Sequence, residues 1–544
     1  MILYSFMLIS TVMLIIIMGI KTIQAKKTYL FCSWLLIQLT AMSFFIHIIL
    51  FNTIFLLSLC YIFVGLFDLN SNHNILRNYP VIGHIRFLFE FIRPEIQQYF
   101  IATNQSGRPY PREIRSLIYR RAKNIDDTHP FGTQMDIDQP GHWYAMHSLN
   151  VKKVKPQTLR HWIGNEQCHY PYHASIINIS AMSYGSLGPT AIQALNMGAQ
   201  KANMYHNTGE GGISDHHRHG GDLVWQIGTG NFGCRTKDGN FCADTFKEKA
   251  ADPAVKMIEV KLSQGAKPAH GGILPAAKIT PEIAHIRGIH QGQDCLSPPT
   301  HPAFNTPLEM MHFLKHLREL SGGKPVGFKL AIGNKEEFYS ICHAILKTNI
   351  YPDFITVDGA EGGTGAAPLI FSNHLAMPGL EAVRFVHNTL MGCGIKQHIT
   401  LIASAKIVSG FDVIKYLAAG ADTVNMARPF LFTLGCIQAV HCNTNACPTG
   451  VATTDPRRYQ ALQPQKKYIR VANFHDRTIH ACAELLGAMG CQSPKDLRPD
   501  MILYRVEHNQ HVNLANLYGN IEHNAFKLHP DQFPDYHQQS SEQF

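Results

Sequence analysis

Two long uncharged runs open the chain, and beyond them short apolar stretches alternate with amphipathic ones. Residues 1–20 contain no charged side chain, and after Lys21, Lys26 and Lys27 a second uncharged run extends from Thr28 to Phe67. As one helix the second run would reach about 60 Å, twice the roughly 30 Å hydrocarbon thickness of a bilayer, so two crossings that turn near His47 to Asn52 are expected. Together with residues 1–20 this makes a transmembrane anchor of three spans over 1–67. The first run lacks a basic n-region and a small-residue cleavage site, which argues against a cleaved signal peptide. The positive-inside rule assigns the Lys21–Lys27 loop to the cytoplasm, and two further crossings return the chain there before Arg77 and Arg86. The expectation is an inner-membrane anchor carrying a cytoplasmic catalytic domain. A buried hydrophobic hairpin in a soluble protein is the alternative reading.

From Asp68 to about residue 160 the pattern is polar and proline-punctuated, with one amphipathic helix predicted in YPVIGHIRFLFEFIRPEIQQYF, against the membrane or the barrel face. After residue 161, β-branched runs alternate with helical periods, the pattern of βα units around a parallel sheet. Eight strands are predicted: Ser175–Ala181, Met204–Asn207, Leu223–Ile227, Met257–Lys261, Val326–Ala331, Phe354–Asp358, Thr400–Ser404 and Thr423–Met426. Eight such units close an α/β (βα)8 TIM barrel, here assigned to 161–456. A helical and polar extension, 457–544, ends in a tail rich in His, Gln and Asn, expected to wrap the surface or be partly disordered.

Composition narrows the picture. A length of 544 residues suits one large catalytic barrel with additions. The net charge of +9 is dispersed and not interleaved with aromatics, so no nucleic-acid surface is expected and proximity to anionic lipid suits it better. Thirteen scattered cysteines fit a reducing compartment more than a disulfide framework.

Candidate chemistry gathers at the predicted strand ends, where a barrel keeps its active site. AMSYGS follows strand 1, NTGEGG strand 2, GTGNFG strand 3 and DGAEGGTGAAP strand 6. Gly362, Gly363 and Gly365 allow close backbone approach and aim several N–H groups at one anion, as a cofactor phosphate requires. The GxGxxG of Gly228–Gly233 is not read as a dinucleotide fingerprint, because no helical period follows it. The sharpest signal is GCIQAVHCNTNACPTGVAT, which brings Cys436, Cys442 and Cys447 into one loop able to offer three thiolates to an iron-sulfur cluster. A Cys3His zinc site using His441 is the rival.

AMSYGS, NTGEGG, QGAKP, SPP, GFKL, the EGGTGA loop and the segment ending CPTGVAT occur in the order found in the FMN-binding synthase domain of glutamate synthases, which the chain resembles over about Ser175–Pro456. That resemblance is closest to the smaller stand-alone members. It implies a barrel holding FMN and a [3Fe-4S] cluster, with reduced flavin passing a hydride to an imine of 2-oxoglutarate and ammonia. By motif, Cys436, Cys442 and Cys447 would ligate the cluster, and Met182, Thr208, Gln226, Lys329, Gly363 and Gly365 would line the flavin. Glu210, Lys267 and Arg287 would face the substrate. Lysine and arginine suit a dicarboxylate, a carboxylate can manage the imine proton, and Lys329 can balance negative charge on the reduced ring.

Two positions depart from the family pattern. Ile273 stands where the large synthases have a glutamine, and Ala405 where the strand 7 loop has a glycine. These leave open another oxo acid, hydroxy acid or amine as substrate, including N-alkylglutamate formation, or a membrane-tethered electron-transfer module. With neither an amidotransferase nor a nicotinamide-binding segment evident, ammonia or an amine is expected from solution or an amidotransferase partner, and electrons from a separate donor.

Overall fold

A computed structural model describes Val12, residues 24–43 and residues 48–544. The first expected span, 1–20, lies outside the described residues apart from Val12. The chain divides into two compact units, Met1–Arg112 and Glu113–Phe544.

In the second unit all eight predicted strands form, and they close a parallel barrel. They are β1 Ile177–Ile179, β2 His206–Asn207, β3 Leu223–Ile227, β4 Val255–Lys261, β5 Val326–Leu330, β6 Phe354–Asp358, β7 Thr400–Ser404 and β8 Thr423–Met426. Closure comes from β8 against β1, where Asn425 stands beside Asn178. Strands covered on both faces must be apolar almost throughout, which is why β3, β5 and β7 are buried along their whole length. Helices follow most strands, capped by local chemistry: Thr306 accepts from Glu309 N at the start of Pro307–Leu320, and Ser409 and Asp412 make a reciprocal cap on Gly410–Ala418. After β2 the connection holds only the 3-10 turn Asp215–His217. The helix Pro464–Ala488 packs along Pro189–Ala202, so sequence beyond the cysteine loop joins the outer ring.

An antiparallel hairpin, Arg160–Ile163 with Tyr172–Ser175, sits at the N-terminal end of the barrel. Its Ile163 and Ala174 share one cluster with Tyr205, Val224, Met257, Phe354 and Ile402. The opposite end is roofed by the excursion after β4, in which Ile273–Leu274 pairs with Cys295–Leu296 on either side of the helix Pro281–Arg287. The C-terminal tail packs on the outer helices, with Phe526 and Tyr536 buried and Tyr536 stacked on His343.

In the first unit, Gln24–Ser43 and Ile48–Leu69 lie side by side, joined by Tyr29 OH donating to Ile62 O at 2.9 Å and by a 2.9 Å bond between the Thr40 and Ser58 hydroxyls. Among the described residues, Ile48–Leu69 alone is long and apolar enough to cross a membrane, through its segment Phe51–Leu69; Thr28–Thr40 is a shorter apolar stretch.

Candidate active site at the barrel mouth

Loops from several strands interlock at the C-terminal rim. Gly209 has φ +66°, and a Cβ there would stand 2.6 Å from Ser183 N, so NTGEGG lies directly on AMSYGS. A Cβ on Gly365 would meet Asn443 N and the Cys442 carbonyl carbon, both at 3.0 Å, which sets the EGGTGA loop against the cysteine loop. Gly363 and Gly365 are exposed, and nothing but Arg428 Nη1 at 3.8 Å would meet a Cβ on Gly363. The rim there is open enough to receive a ligand against bare backbone. The GxGxxG segment turns back without a helix; the next one, Ala243–Ala250, starts ten residues after Gly233.

Cations outnumber carboxylates at this mouth. Glu210 and Lys267 line one cavity with Lys261, Gln264 and Gly272. Lys261 Nζ is 2.9 Å from Glu210 Oε1, and Lys267 Nζ donates to Gly271 O. Burial acts to raise the Glu210 carboxyl, but Lys261, Lys267 and Arg287 outweigh it and hold the group below its usual range. Burial, reinforced by the charge of Lys261 and opposed by Glu210, lowers Lys267 to about 8. Arg287 is buried behind the loops, where Nη2 donates to Tyr184 O at 3.0 Å and the guanidinium lies 5.1 Å from the Phe232 ring. It reaches Glu210 through charge and does not line the cavity. Its Nε has no partner.

Lys329, next to last in β5, has Nζ 3.4 Å from Asp358 Oδ1, which also accepts from Ser404 Oγ at 2.7 Å. Gln226 and Thr208 lie deeper. The Gln226 amide donates to Glu259 Oε1 at 2.6 Å, and Asn207 and Thr356 bond the same buried carboxylate at 2.8 and 2.7 Å. Thr208 Oγ1 accepts from Gln226 N and donates to Gly209 O. Together these make a polar floor beneath the mouth, with Met182, also buried, on the β1 loop.

Sequence reasoning missed Lys261, Glu259, Asp358 and Arg428. Lys261 and Glu259 sit inside an apolar strand, where a charged side chain at an inward position was the available signal. Arg428 opens the helix after β8 and donates to Glu361 O, in the β7–β8 region where barrels of this class often bind phosphate.

The cysteine loop packs on the same rim. Tyr119 OH donates to Cys436 O at 2.6 Å, burial pushes the Cys436 thiol up to about 11, and Cys442 is exposed while Cys447 is buried. Burial also opposes the Cys447 thiolate, yet N–H groups of Ala452, Thr449 and Val451 and the Thr449 hydroxyl outweigh it and hold that thiol below its ordinary range. Lys278 is buried with carbonyl partners only, Ser186 O, Cys442 O and Ala452 O at 3.0, 2.8 and 3.0 Å. Burial lowers it to about 8, and the charges that favour its ammonium are those of Cys442 and Cys447. A buried cation facing thiols suits an anionic thiolate centre. Among the described residues no three His, Cys, Asp or Glu side chains already stand at metal-binding separation. His441 is exposed.

Residues 141–492 match the model for the conserved region in glutamate synthase, a span that takes in the hairpin Arg160–Ser175, the whole barrel and the helix Pro464–Ala488. The chain belongs to the glutamate synthase family. It is an oxidoreductase. This family member is 35% identical over 488 residues to the glutamate synthase large subunit-like protein YerD of Bacillus subtilis, covering 82% of this chain and 93% of that one. It is 34% identical over 422 residues to an archaeal-type glutamate synthase [NADPH] of Thermotoga sp., covering 77% of this chain and 75% of the relative. Against the archaeal glutamate synthase [NADPH] of Methanocaldococcus jannaschii it is 30% identical over 407 residues, 73% and 71% of the two chains.

Proposed function

We propose that this family member is an FMN- and [3Fe-4S]-dependent enzyme that reductively aminates 2-oxoglutarate to L-glutamate, tethered by its N-terminal helices to the inner membrane with the barrel in the cytoplasm. The observation that carries the substrate assignment is the surplus of cations, Lys261, Lys267 and Arg287, around the single carboxylate of Glu210. A dicarboxylate entering the cavity would complete that charge balance.

The residues present fit the two groups. The exposed backbone of Gly363 and Gly365, with Gly362, leaves room for a flat cofactor beside Arg428, a cation suited to its phosphate, while Lys329 and Gln226 offer donors to the ring and Met182 and Thr208 border it. Cys436, Cys442 and Cys447 supply soft donors, and Lys278 supplies the countercharge for a cluster. Bound FMN would supply a hydride and the cluster a one-electron relay. Lys267 would orient the oxo acid. Glu210, kept ionised by its neighbours, would hold the imine nitrogen through its proton; a bound dianion offsets the lysine charges and lets the carboxyl rise toward a pKa at which it shares that proton. Ammonia or an amine would come from solution or an amidotransferase partner, and electrons from a separate donor.

Ile273 favours a second reading. It directly follows Gly272, which lines the cavity, and it stands where the large synthases have a glutamine, so an oxo acid with a less polar tail is the alternative substrate. The first unit supports the anchor: the Tyr29, Thr40 and Ser58 hydroxyls bond between the helices, while Leu56, Leu57, Phe63 and Phe67 are all exposed.

Anaerobically purified protein should show flavin absorption and an iron-sulfur EPR signal, and should turn over 2-oxoglutarate and ammonium with a reduced dye. Cys442→Ser should lose the iron and keep the flavin. Stoichiometric zinc without iron would overturn the cluster assignment, and turnover confined to less polar oxo acids would select the second reading.

A further inference from the structure

The helix Gly83–Ile96 and the π-helical turn Gln97–Ile101 that continues it leave a full apolar face uncovered. At 100° per residue, Ile85, Leu88, Phe89, Ile92, Ile96 and Tyr99 fall on one face. Leu88 is 55% exposed and Phe89 60%. Arg86 and Arg93 flank that face, both exposed, and no carboxylate of the described residues pairs with either. A soluble helix buries such a face; an interfacial helix lays it among acyl chains and directs its arginines to lipid phosphates.

The attachment of this helix to the hairpin points the same way. Asp68, at the end of Ile48–Leu69, is fully buried. Its carboxylate accepts from Val81 N at 2.8 Å and pairs with His84 Nε2 at 2.9 Å. Val81 has φ +63°, unusual for a β-branched residue, and Gly83 N bonds back to Tyr79 O at 2.8 Å. The chain therefore makes a clasped elbow where the apolar helix ends, at the depth where a spanning helix leaves the hydrocarbon.

We infer that Gly83–Ile101 is an interfacial helix lying on an anionic phospholipid surface, its Ile85–Tyr99 face in the acyl boundary and Arg86 and Arg93 among the headgroups. This rests on the membrane reading of the hairpin, so the test must separate the two. Full-length protein would be reconstituted into phosphatidylcholine–phosphatidylglycerol vesicles brominated at a shallow acyl position, with Leu88→Trp, Ile92→Trp and Glu90→Trp variants at exposed or half-exposed sites. Of the four tryptophans, Trp34, Trp143, Trp162 and Trp225, Trp34 alone lies in the hairpin, so the loss of wild-type fluorescence relative to unbrominated vesicles reports it. The added fluorescence of Leu88→Trp and Ile92→Trp should be strongly quenched and that of Glu90→Trp little changed. If Trp34 is quenched while positions 88 and 92 behave like 90, the hairpin inserts and the interfacial helix is wrong. If Trp34 is itself unquenched, the membrane reading fails and this inference with it.

Discussion

The two ends of the barrel are built from similar residues and treat charge in opposite ways. At the N-terminal end the carboxylates Asp353 and Asp422 each meet a cation. Arg318 bonds Asp353 Oδ2 through Nε and Nη2 at 3.1 and 2.9 Å, and the same carboxylate accepts Val326 N and Asn165 N. Lys396 pairs with Asp422 at 2.8 Å. At the C-terminal end Glu210 serves several cations, and Lys278 has only carbonyls. Complete pairing repays the cost of burying charge and fixes a closed floor, whereas an incomplete set leaves a field into which a counter-ion can be drawn. On the proposed function, the Glu210 cluster of cations marks the reacting end.

The largest effect that would break this contrast is expected at Glu210. Glu210→Gln keeps the shape and removes the charge, so turnover should fall about 100- to 10,000-fold if the carboxylate manages a proton. Thermal stability should fall modestly, because the fold favours the ionised carboxylate and its loss leaves Lys261, Lys267 and Arg287 without their counter-ion. A variant that unfolds instead would make Glu210 a structural ion like those of the floor. At the other end Asp353→Ala strands Arg318 and two backbone N–H groups, and should cost about 3–5 kcal/mol in denaturant unfolding. Loss of activity without loss of stability there would erase the distinction between the ends.

A smaller effect sharpens the contrast within the mouth itself. Lys267→Ala removes a charge-assisted contact of about 1.5–3 kcal/mol, so the apparent affinity for the oxo acid should fall about ten- to a hundred-fold with flavin content unchanged. Arg287→Ala is expected to behave differently, because the guanidinium holds Tyr184 O and packs on Phe232 behind the loops. It should lower stability as well as affinity. Identical kinetic losses with identical melting curves would place both side chains on the substrate.

Most of the barrel strands were legible as short β-branched runs bounded by glycine or polar residues, since burial on both faces leaves little else for such a run to be; Met204–Asn207 carries no β-branched residue. The glycine loops and the cysteines were legible as local spacing. Lys261 and Glu259 were not, since their partners, Glu210 on one hand and Asn207, Gln226 and Thr356 on the other, come from other strands and meet only when the barrel closes. Arg287 was legible as a cation near the site, but its direction depends on how the roof folds over AMSYGS. Nor did spacing alone reveal Lys278, whose three carbonyl partners come from segments 92, 164 and 174 residues away.

The smallest expected effect is a pH slope. Lys267 is lowered to about 8 by burial, with Lys261 adding to the effect and Glu210 opposing it. Below that value the free enzyme presents an ammonium to the oxo acid; above it the amine is neutral and the charge is gone. Because kcat/KM reports groups of the free enzyme, it should fall about tenfold per pH unit above roughly pH 8, with kcat much less affected since bound dianion holds the proton on. Lys278 is also lowered to about 8, by burial, so the slope alone does not identify its source. Lys267→Arg does: an arginine stays charged throughout this range, so the fall should vanish or move to higher pH even if overall affinity changes. If the slope persists unchanged in Lys267→Arg, the titrating cation is the one beneath the cysteine loop, and the excess charge that matters for turnover lies there and not over the substrate cavity.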